Sequence, residues 1–230
     1  MSASHPQAGR LPRGGSLISN RLKEAGRALL APLVRLAQRL GITPNRGTVI
    51  GFVVVAVAAG LVAMGQLLAG AIILVAGSLL DAVDGALARA TGGSTPFGGF
   101  LDSTLDRAAE AILYAGLVIY FLRVDADPIW PVALALAALC GSFMVSYTRA
   151  KAEAIGVSAS VGLAPRTERL VLVVAGIALA GLGIRFGLIG AIGIVAALSV
   201  ATTIQRISHV QREMTESPAV VRVDSTEENL

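Results

Sequence analysis

The sequence has few of the residues that most often carry enzyme chemistry in soluble domains. It contains a single cysteine, Cys140, so neither an internal disulfide nor a cysteine-based metal site is available. Its two histidines, His5 and His209, lie near the termini and offer no catalytic triad. Aromatic residues are also scarce, at 4% of the chain. These shortages exclude a disulfide-stabilised domain, a cysteine metal site and a histidine-based triad.

Long apolar runs and abundant glycine are present instead. Of the 230 residues, 54% are hydrophobic and 26 are glycine, a composition typical of closely packed transmembrane helices. The first fifteen residues are polar and contain no apolar signal-peptide core, so we expect the first apolar run to act as the insertion signal. The sequence therefore predicts an all-α integral membrane protein.

The chain divides into one membrane domain, residues 16–210, and a tail at each end. Residues 1–15 are expected to form a disordered lead and residues 211–230 a polar disordered tail. Residues 16–40 alternate leucines with basic residues, which predicts an amphipathic helix in the headgroup region; a soluble helix with a solvated face is the alternative. Hydropathy then predicts six spans, at residues 48–64, 67–88, 98–122, 128–149, 168–182 and 186–207.

The basic residues lie mainly on one side of this predicted topology. Only Arg123 and Arg185 of the 19 basic residues fall in the turns at one end of the spans. The N-terminal arm, the loop between spans four and five and the C-terminal segment hold most of the others. The positive-inside rule then predicts a multi-pass protein of the cell membrane with both termini in the cytoplasm.

Four aspartates at helical spacing are the most informative feature of the chain. Asp81 and Asp84 share one helix face, and Asp102 and Asp106 share another. All four lie at the cytoplasmic edges of apolar runs, where an ionisable group is costly and rarely incidental. Two such faces turned toward each other would repel without divalent cations. We therefore expect an active site with two Mg²⁺ or Mn²⁺ ions.

These aspartates belong to a longer pattern that resembles the signature of the CDP-alcohol phosphotransferase family. The pattern reads Asp81-x2-Asp84-Gly85-x2-Ala88-Arg89-x8-Gly98-x3-Asp102-x3-Asp106. Interhelical salt bridges of the aspartates are the alternative explanation, but they would not require paired carboxylates and glycines at these spacings. The resemblance also covers the interfacial helix and the six spans, over about residues 20–210.

The resemblance implies a displacement in which an alcohol attacks the β-phosphorus of a CDP-linked donor and CMP leaves. By position, the four aspartates would bind the two metal ions, and Asp106 would also take the proton from the attacking hydroxyl. The resemblance likewise implies a homodimer. The residues that would lie along the cytidine and its phosphates are Gly85, Ala88, Arg89, Gly98 and, in a Thr-Pro-Asn turn before the first span, Asn45. An ordinary helix-entry turn is the alternative explanation for the segment that contains Asn45.

Basic residues at the ends of spans four to six predict an acceptor alcohol that already bears a phosphate. Each of them alone is also compatible with a topology anchor facing lipid headgroups. Two stretches, Ser146-Tyr147-x-Arg149-Ala150-Lys151-Ala152-Glu153 and Arg166-x-Glu168-Arg169, together resemble those of phosphatidylinositol-phosphate synthases. The order of Arg and Lys in the first stretch is reversed relative to typical members, and Thr167 replaces a usual proline in the second. The residues expected at the acceptor phosphate are Ser146, Arg149, Lys151, Arg166, Arg169 and Arg206.

We therefore expect transfer of a phosphatidyl group from CDP-diacylglycerol to inositol phosphate, at the bilayer surface and with no nucleic-acid partner. A phosphatidylglycerolphosphate synthase, or a related enzyme with another anionic acceptor or an archaeal-type lipid donor, is the alternative. A divalent-cation transporter is a more distant one. The four aspartates lie near one interface, and no acidic residue occupies the opposite half of any span, so most of the bilayer would lack a polar relay.

Overall fold

The computed structural model describes residues 43–91 and 95–216, with side chains for residues 43–80 and 95–216. Within these residues the regular structure is entirely α-helical, which confirms the predicted all-α class. The expected lead and the interfacial helix over 16–40 lie outside the described residues. The helices are α1 (Pro44–Ala63), α2 (Leu67–Thr91), α3 (Pro96–Val124), α4 (Ile129–Ala154), α5 (Arg166–Gly181) and α6 (Arg185–Glu216).

Each helix corresponds to one predicted span, but the last is longer than expected. Helix α6 continues to Glu216, so residues 211–216, predicted to begin the disordered tail, are helical. The apolar run ends near Ile207, whereas Gln211, Arg212 and Glu213 are polar residues with good helix propensity. Loss of hydrophobicity therefore marks the end of the apolar segment and not the end of the helix.

The outer surface of the helices is apolar, as expected of a protein in lipid. Of the helices in the described residues, α1, α4 and α6 are long and apolar enough to cross a membrane, and α2 has a shorter apolar stretch from Leu67 to Leu80. Large apolar side chains such as Ile72, Ile129 and Phe186 are exposed. A soluble monomer rarely exposes so much contiguous apolar surface. The chain is thus a helical membrane protein.

The six helices of the described residues form two groups of three. Helix α1 packs against α2 and α3, and α6 packs against α4 and α5. The groups meet where α3 contacts α4 and α2 contacts α5, around buried residues such as Leu74, Leu117 and Ile177. Consecutive helices alternate in direction. The starts of α1, α3 and α5 and the ends of α2, α4 and α6 therefore share one end of the bundle.

Tight glycine turns at the opposite end fix this alternation. Helix α1 ends at Ala63 and is followed by Gly65 with φ of 82°. Helix α5 ends at Gly181 and is followed by Gly183 with φ of 91°. Glycine adopts this left-handed conformation without the steric penalty of a Cβ atom. The next helix thus starts beside the one that has just ended.

Helices α1 and α3 approach each other closely at Gly116. A Cβ atom at Gly116 would lie 2.5 Å from the backbone oxygen of Ala59. A backbone oxygen within a helix cannot move aside as a flexible side chain can. Small residues of this kind allow helix backbones to pack closely in a membrane.

We predict that Gly116→Ala destabilises the protein by about 1–3 kcal/mol, because the added methyl group forces α1 and α3 apart. The measurement is the midpoint of thermal unfolding in detergent. Gly60→Ala on α1 is the matched control, since a Cβ atom there would meet no atom within 4 Å. Equal midpoints for the two variants would contradict the close approach.

Candidate active site

The start of α3 is fixed by a cap and brings two predicted site residues together. Thr95 precedes the helix with an extended backbone, and its Oγ1 accepts a hydrogen bond from the N–H of Gly98 at 3.0 Å. Pro96 occupies the first turn, where a missing N–H costs nothing. A Cβ atom at Gly98 would lie 3.0 Å from Oδ1 of Asn45. Glycine therefore leaves room for Asn45, and both residues were predicted to lie along the CDP group.

Two of the four predicted metal-binding aspartates lie one turn apart on α3. Asp102 is exposed, whereas the side chain of Asp106 is 19% exposed, with Oδ1 at 3.0 Å from Nη1 of Arg166. The backbones of Asp81 and Asp84 belong to α2 near its end at the same end of the bundle. The side chains of these two residues, and those of Gly85, Ala88 and Arg89, lie outside the described set.

Carboxylate oxygens are the hard ligands that Mg²⁺ and Mn²⁺ prefer, so the donor chemistry of the aspartates fits the predicted ions. Among the side chains that the structure describes, no three His, Cys, Asp or Glu residues form a cluster that could hold a metal ion. Asp102 and Asp106 are among these side chains, whereas Asp81 and Asp84 are not. The four-aspartate site therefore stays a prediction.

A groove of about 700 Å³ opens between α3 and α4 beside Asp102. Its size is within the roughly 300–1,000 Å³ of small-molecule sites. Ser146 and Arg149, two predicted acceptor residues, line the same groove. Arg149 Nε lies 2.8 Å from Oε1 of Glu153, and both side chains are more than half exposed. Such an exposed pair contributes little to stability, so Arg149 is able to exchange this partner for a phosphate.

Arg166 and Arg169 lie on the first turn of α5 but differ in their surroundings. Arg166 is partly exposed and pairs with Asp106. Arg169 is only 1% exposed; its Nη1 donates to the carbonyl oxygen of Ala164 at 2.9 Å, and its Nη2 to Oε1 of Glu110 at 3.4 Å. Glu110 was not predicted as a site residue, although it follows Asp106 at the same four-residue spacing that links Asp102 and Asp106.

The remaining predicted acceptor residues, Lys151 and Arg206, line a second groove of about 200 Å³ between α4 and α6. Tyr147 borders both grooves and separates them. Arg206 is buried, and it donates from Nε to the carbonyl oxygen of Val161 at 2.9 Å and from Nη1 to that of Val145. The six predicted acceptor residues are therefore at one end of the bundle but not in one pocket.

The loop between α4 and α5 is held by side chains of α6. Thr202 Oγ1 accepts a hydrogen bond from the buried N–H of Ala164 at 3.2 Å, and His209 Nε2 lies 3.1 Å from the carbonyl oxygen of Ser158. Arg206 binds Val161 of the same loop. These bonds satisfy loop backbone groups and fix the entry into α5. The position of Arg166 at the site therefore depends on α6 as well.

The fold and this site define a class of protein, a helical membrane enzyme. Its carboxylates and arginines meet at one end of the bundle, an arrangement that suits substrates bearing phosphate. The chain belongs to the CDP-alcohol phosphatidyltransferase family, whose model matches residues 41–205. The family resemblance expected from residues 81–106 is thereby confirmed.

Curated relatives are similar over most of the chain. An archaetidylinositol phosphate synthase from Pyrococcus horikoshii is 40% identical over 188 residues, which cover 80% of this chain and 93% of the relative. A phosphatidylinositol phosphate synthase from Corynebacterium glutamicum is 31% identical over 208 residues, which cover 88% of this chain and 95% of the relative. The expected branch of the family is thus also found by comparison of whole sequences.

Solved structures of a similar fold carry a lipid donor or a metal ion. The phosphatidylinositol phosphate synthase of Mycobacterium tuberculosis with CDP-DAG bound has a TM-score of 0.76 and 32% identity, covering 86% of this chain and 99% of that one. The same enzyme in complex with manganese and citrate also has a TM-score of 0.76 and 32% identity, covering 85% of this chain and 93% of that one.

We predict that Thr202→Val destabilises the protein by about 1–3 kcal/mol, because the isosteric side chain leaves the buried N–H of Ala164 without an acceptor. Thr203→Val is the matched control, since Thr203 Oγ1 is buried and makes no hydrogen bond in the described structure. Thermal unfolding in detergent compares the two. A loss of stability in the control as large as that in Thr202→Val would contradict the role given to the Thr202 hydroxyl.

Proposed function

We propose that this protein transfers a phosphatidyl group from CDP-diacylglycerol to inositol phosphate, giving phosphatidylinositol phosphate and CMP. The observation that carries the proposal is the meeting of Asp102, Ser146 and Arg149 in one groove, with the Asp106–Arg166 pair at the same end of the bundle. A carboxylate beside an arginine combines a proton acceptor with a group that recognises phosphate. The names of the relatives support the same reaction.

In the proposed reaction a hydroxyl oxygen of the acceptor forms a new bond to the β-phosphorus, and the bond to the CMP oxygen breaks. Asp106 takes the hydroxyl proton. Mg²⁺ or Mn²⁺ held by Asp81, Asp84, Asp102 and Asp106 would neutralise the pyrophosphate and stabilise the leaving phosphate. Asn45 and Gly98 lie side by side where the CDP group is expected. Gly85, Ala88 and Arg89, which belong to the last turns of α2, would provide the other contacts to CDP.

The acceptor phosphate is assigned first to Ser146, Arg149 and Arg166. Ser146 and Arg149 face the groove that contains Asp102, and Arg166 reaches the proposed base directly. Arginine presents a planar fork of donors that matches phosphate oxygens. Lys151 and Arg206 lie across Tyr147, and their contact with the acceptor requires a movement of that side chain.

The membrane arrangement proposed for this function has six spans, an interfacial helix over residues 16–40, and cytoplasmic termini. The distribution of the basic residues supports this orientation. It places the starts of α1, α3 and α5, and with them the site, at the cytoplasmic surface. There a water-soluble acceptor meets the headgroup of a lipid donor. A homodimer is part of the same proposal and rests on the family resemblance.

The decisive experiment measures CMP release by the purified protein with CDP-diacylglycerol and Mg²⁺ or Mn²⁺. Inositol 1-phosphate, inositol and glycerol 3-phosphate are compared as acceptors. Release with inositol phosphate alone supports the proposal. Release with glycerol 3-phosphate keeps the aspartate mechanism and overturns the acceptor. No release from folded protein with any acceptor and either metal contradicts the proposed reaction.

A CDP-linked archaeal ether lipid is a second candidate for the lipid donor. The Pyrococcus horikoshii relative is named an archaetidylinositol phosphate synthase and is 40% identical, more than the Corynebacterium glutamicum one. This likeness favours a test with a CDP-linked archaeal ether lipid beside CDP-diacylglycerol. A much higher kcat/KM with the ether lipid would reassign the donor while leaving the acceptor and the proposed base unchanged.

We predict that Asp106→Asn lowers kcat by about 10²-fold or more, because the amide has nearly the shape of the carboxylate but accepts no proton. The measurement is CMP release under saturating substrate. Asp127→Asn, in an exposed position at the opposite end of the bundle, is the control and keeps wild-type activity. Wild-type turnover by folded Asp106→Asn would overturn the assignment of the base.

We predict that Arg166→Ala raises the KM for the acceptor about tenfold or more, while the KM for the CDP-linked donor changes by less than about twofold. The truncation removes a cation from the proposed acceptor side of the site. Arg123→Ala, an exposed arginine at the other end of α3, is the control. Equal rises in both KM values would argue against an acceptor contact at Arg166.

A further inference from the structure

Helix α3 carries a third acidic residue behind the two aspartates of the site. Asp102, Asp106 and Glu110 follow one another at four-residue intervals, so they share one helix face. Burial increases along this face: Asp102 is exposed, and the side chains of Asp106 and Glu110 are 19% and 13% exposed. Glu110 therefore lies one turn deeper in the bundle than the proposed base.

Two ion pairs form a ladder between α3 and α5. The outer pair joins Arg166 to Asp106 at 3.0 Å, and the inner pair joins Arg169 to Glu110 at 3.4 Å. In the described part of the chain, α5 packs mainly against α2 and α6, and the backbones of α3 and α5 share no extended contact. Long arginine side chains therefore bridge the distance between the two helices.

The inner pair is enclosed, unlike the outer one. Arg169 is 1% exposed and also donates to the carbonyl oxygen of Ala164, directly before α5. Beside it is a cavity of about 30 Å³, lined in part by Glu110 and Tyr114. Such a cavity has room for one or two water molecules and not for a phosphorylated alcohol. Both terminal nitrogens of Arg169 also bind protein oxygens, so we assign this residue to support of the site, whereas the sequence predicted it at the acceptor phosphate.

We propose that Glu110 and Arg169 are positioning residues that hold Arg166 at the acceptor side of the site. The inner pair ties the first turn of α5 to α3, one turn below the position where Arg166 meets Asp106. This inference rests on the proposed function, in which Arg166 contacts the acceptor phosphate. Loss of the inner pair should affect the acceptor more than the donor, because the residues assigned to CDP lie on α1, α2 and the start of α3 and none of them contacts Glu110 or Arg169 in the described structure.

Kinetics of Glu110→Gln and Arg169→Lys test this role. Lysine keeps the charge of Arg169 but lacks the planar fork that binds Ala164 and Glu110 together. Because small misplacements of a contacting group cost large factors in rate, we expect the acceptor KM to rise about tenfold and the donor KM to change less than about twofold. Equal rises in both KM values, or no change in either, would overturn the proposal.

A matched control separates positioning from a general loss of stability. Asp125 pairs with Arg185 at the opposite end of the bundle, and its side chain is 12% exposed, close to the 13% of Glu110. Asp125→Asn should lower the unfolding midpoint while leaving the acceptor KM within about twofold of wild type. A tenfold rise in acceptor KM for this control would show that loss of any buried pair has the same effect.

Combination with Arg166→Ala gives the sharpest comparison. If Glu110 acts through Arg166, Glu110→Gln should change the acceptor KM by less than about twofold in the Arg166→Ala background. A further rise of about tenfold there would overturn the proposal. Should Glu110→Gln fail to fold, the double variant Glu110→Gln with Arg169→Gln replaces it, because removing both charges leaves no unpaired buried ion.

Two measurements keep this inference distinct from the proposed function. The first is the comparison of acceptors with the wild-type protein. If an anionic acceptor other than inositol phosphate is preferred there, the kinetics of the variants are measured with that acceptor. Hydrogen exchange at the N–H groups of Glu168 and Arg169, which donate to the carbonyl oxygen of Pro165, needs no turnover at all. Faster exchange there in Glu110→Gln, but not in Asp125→Asn, is expected. Unchanged exchange would show that the inner pair does not fix α5.

Discussion

The pairing of α3 carboxylates with α5 arginines is the interaction on which the arrangement of the site depends. An isolated charge at the edge of an apolar bundle is strongly disfavoured, so each acidic residue that enters the bundle needs a partner. Glu110 has Arg169, and Asp106 has Arg166 as one of its partners. The outer pair is partly exposed, whereas the arginine of the inner pair is almost completely buried. In the proposed function, depth along one helix face therefore separates the proposed base, Asp106, from the proposed positioning residue, Glu110.

The rest of the bundle keeps that end of the molecule in register. The close approach at Gly116 fixes α1 against α3, which sets Asn45 beside Gly98 some turns away. At the other end, Asp125 pairs with Arg185 across the α3–α4 turn and the start of α6. Polar contacts thus occur at both ends, and between them apolar packing fills the interior. The proposed site takes residues from α1, α2, α3, α4 and α5 at one end of the bundle, so no single helix determines it.

Much of the fold could be predicted from the sequence, because apolar runs separated by glycine turns such as Gly65 and Gly183 report helices directly. The end of α6 could not, since helix propensity continues after hydrophobicity stops. The family could also be predicted, because the aspartate spacing is a local pattern on two consecutive helices. Glu110 was missed because its partner, Arg169, is distant in sequence, and only packing brings the two together.

The acceptor residues show most clearly where sequence reasoning ends. Arg149, Arg169 and Arg206 are equivalent in a positive-inside argument, yet the structure gives them different partners. Arg149 faces an open groove, whereas Arg169 and Arg206 use their donors on backbone carbonyls of the α4–α5 loop. Arginine suits both tasks because its guanidinium offers five donors in a rigid plane. The rotation of each helix about its axis decides whether its arginine faces the groove or binds loop carbonyls. That rotation is set by packing between helices far apart in the chain.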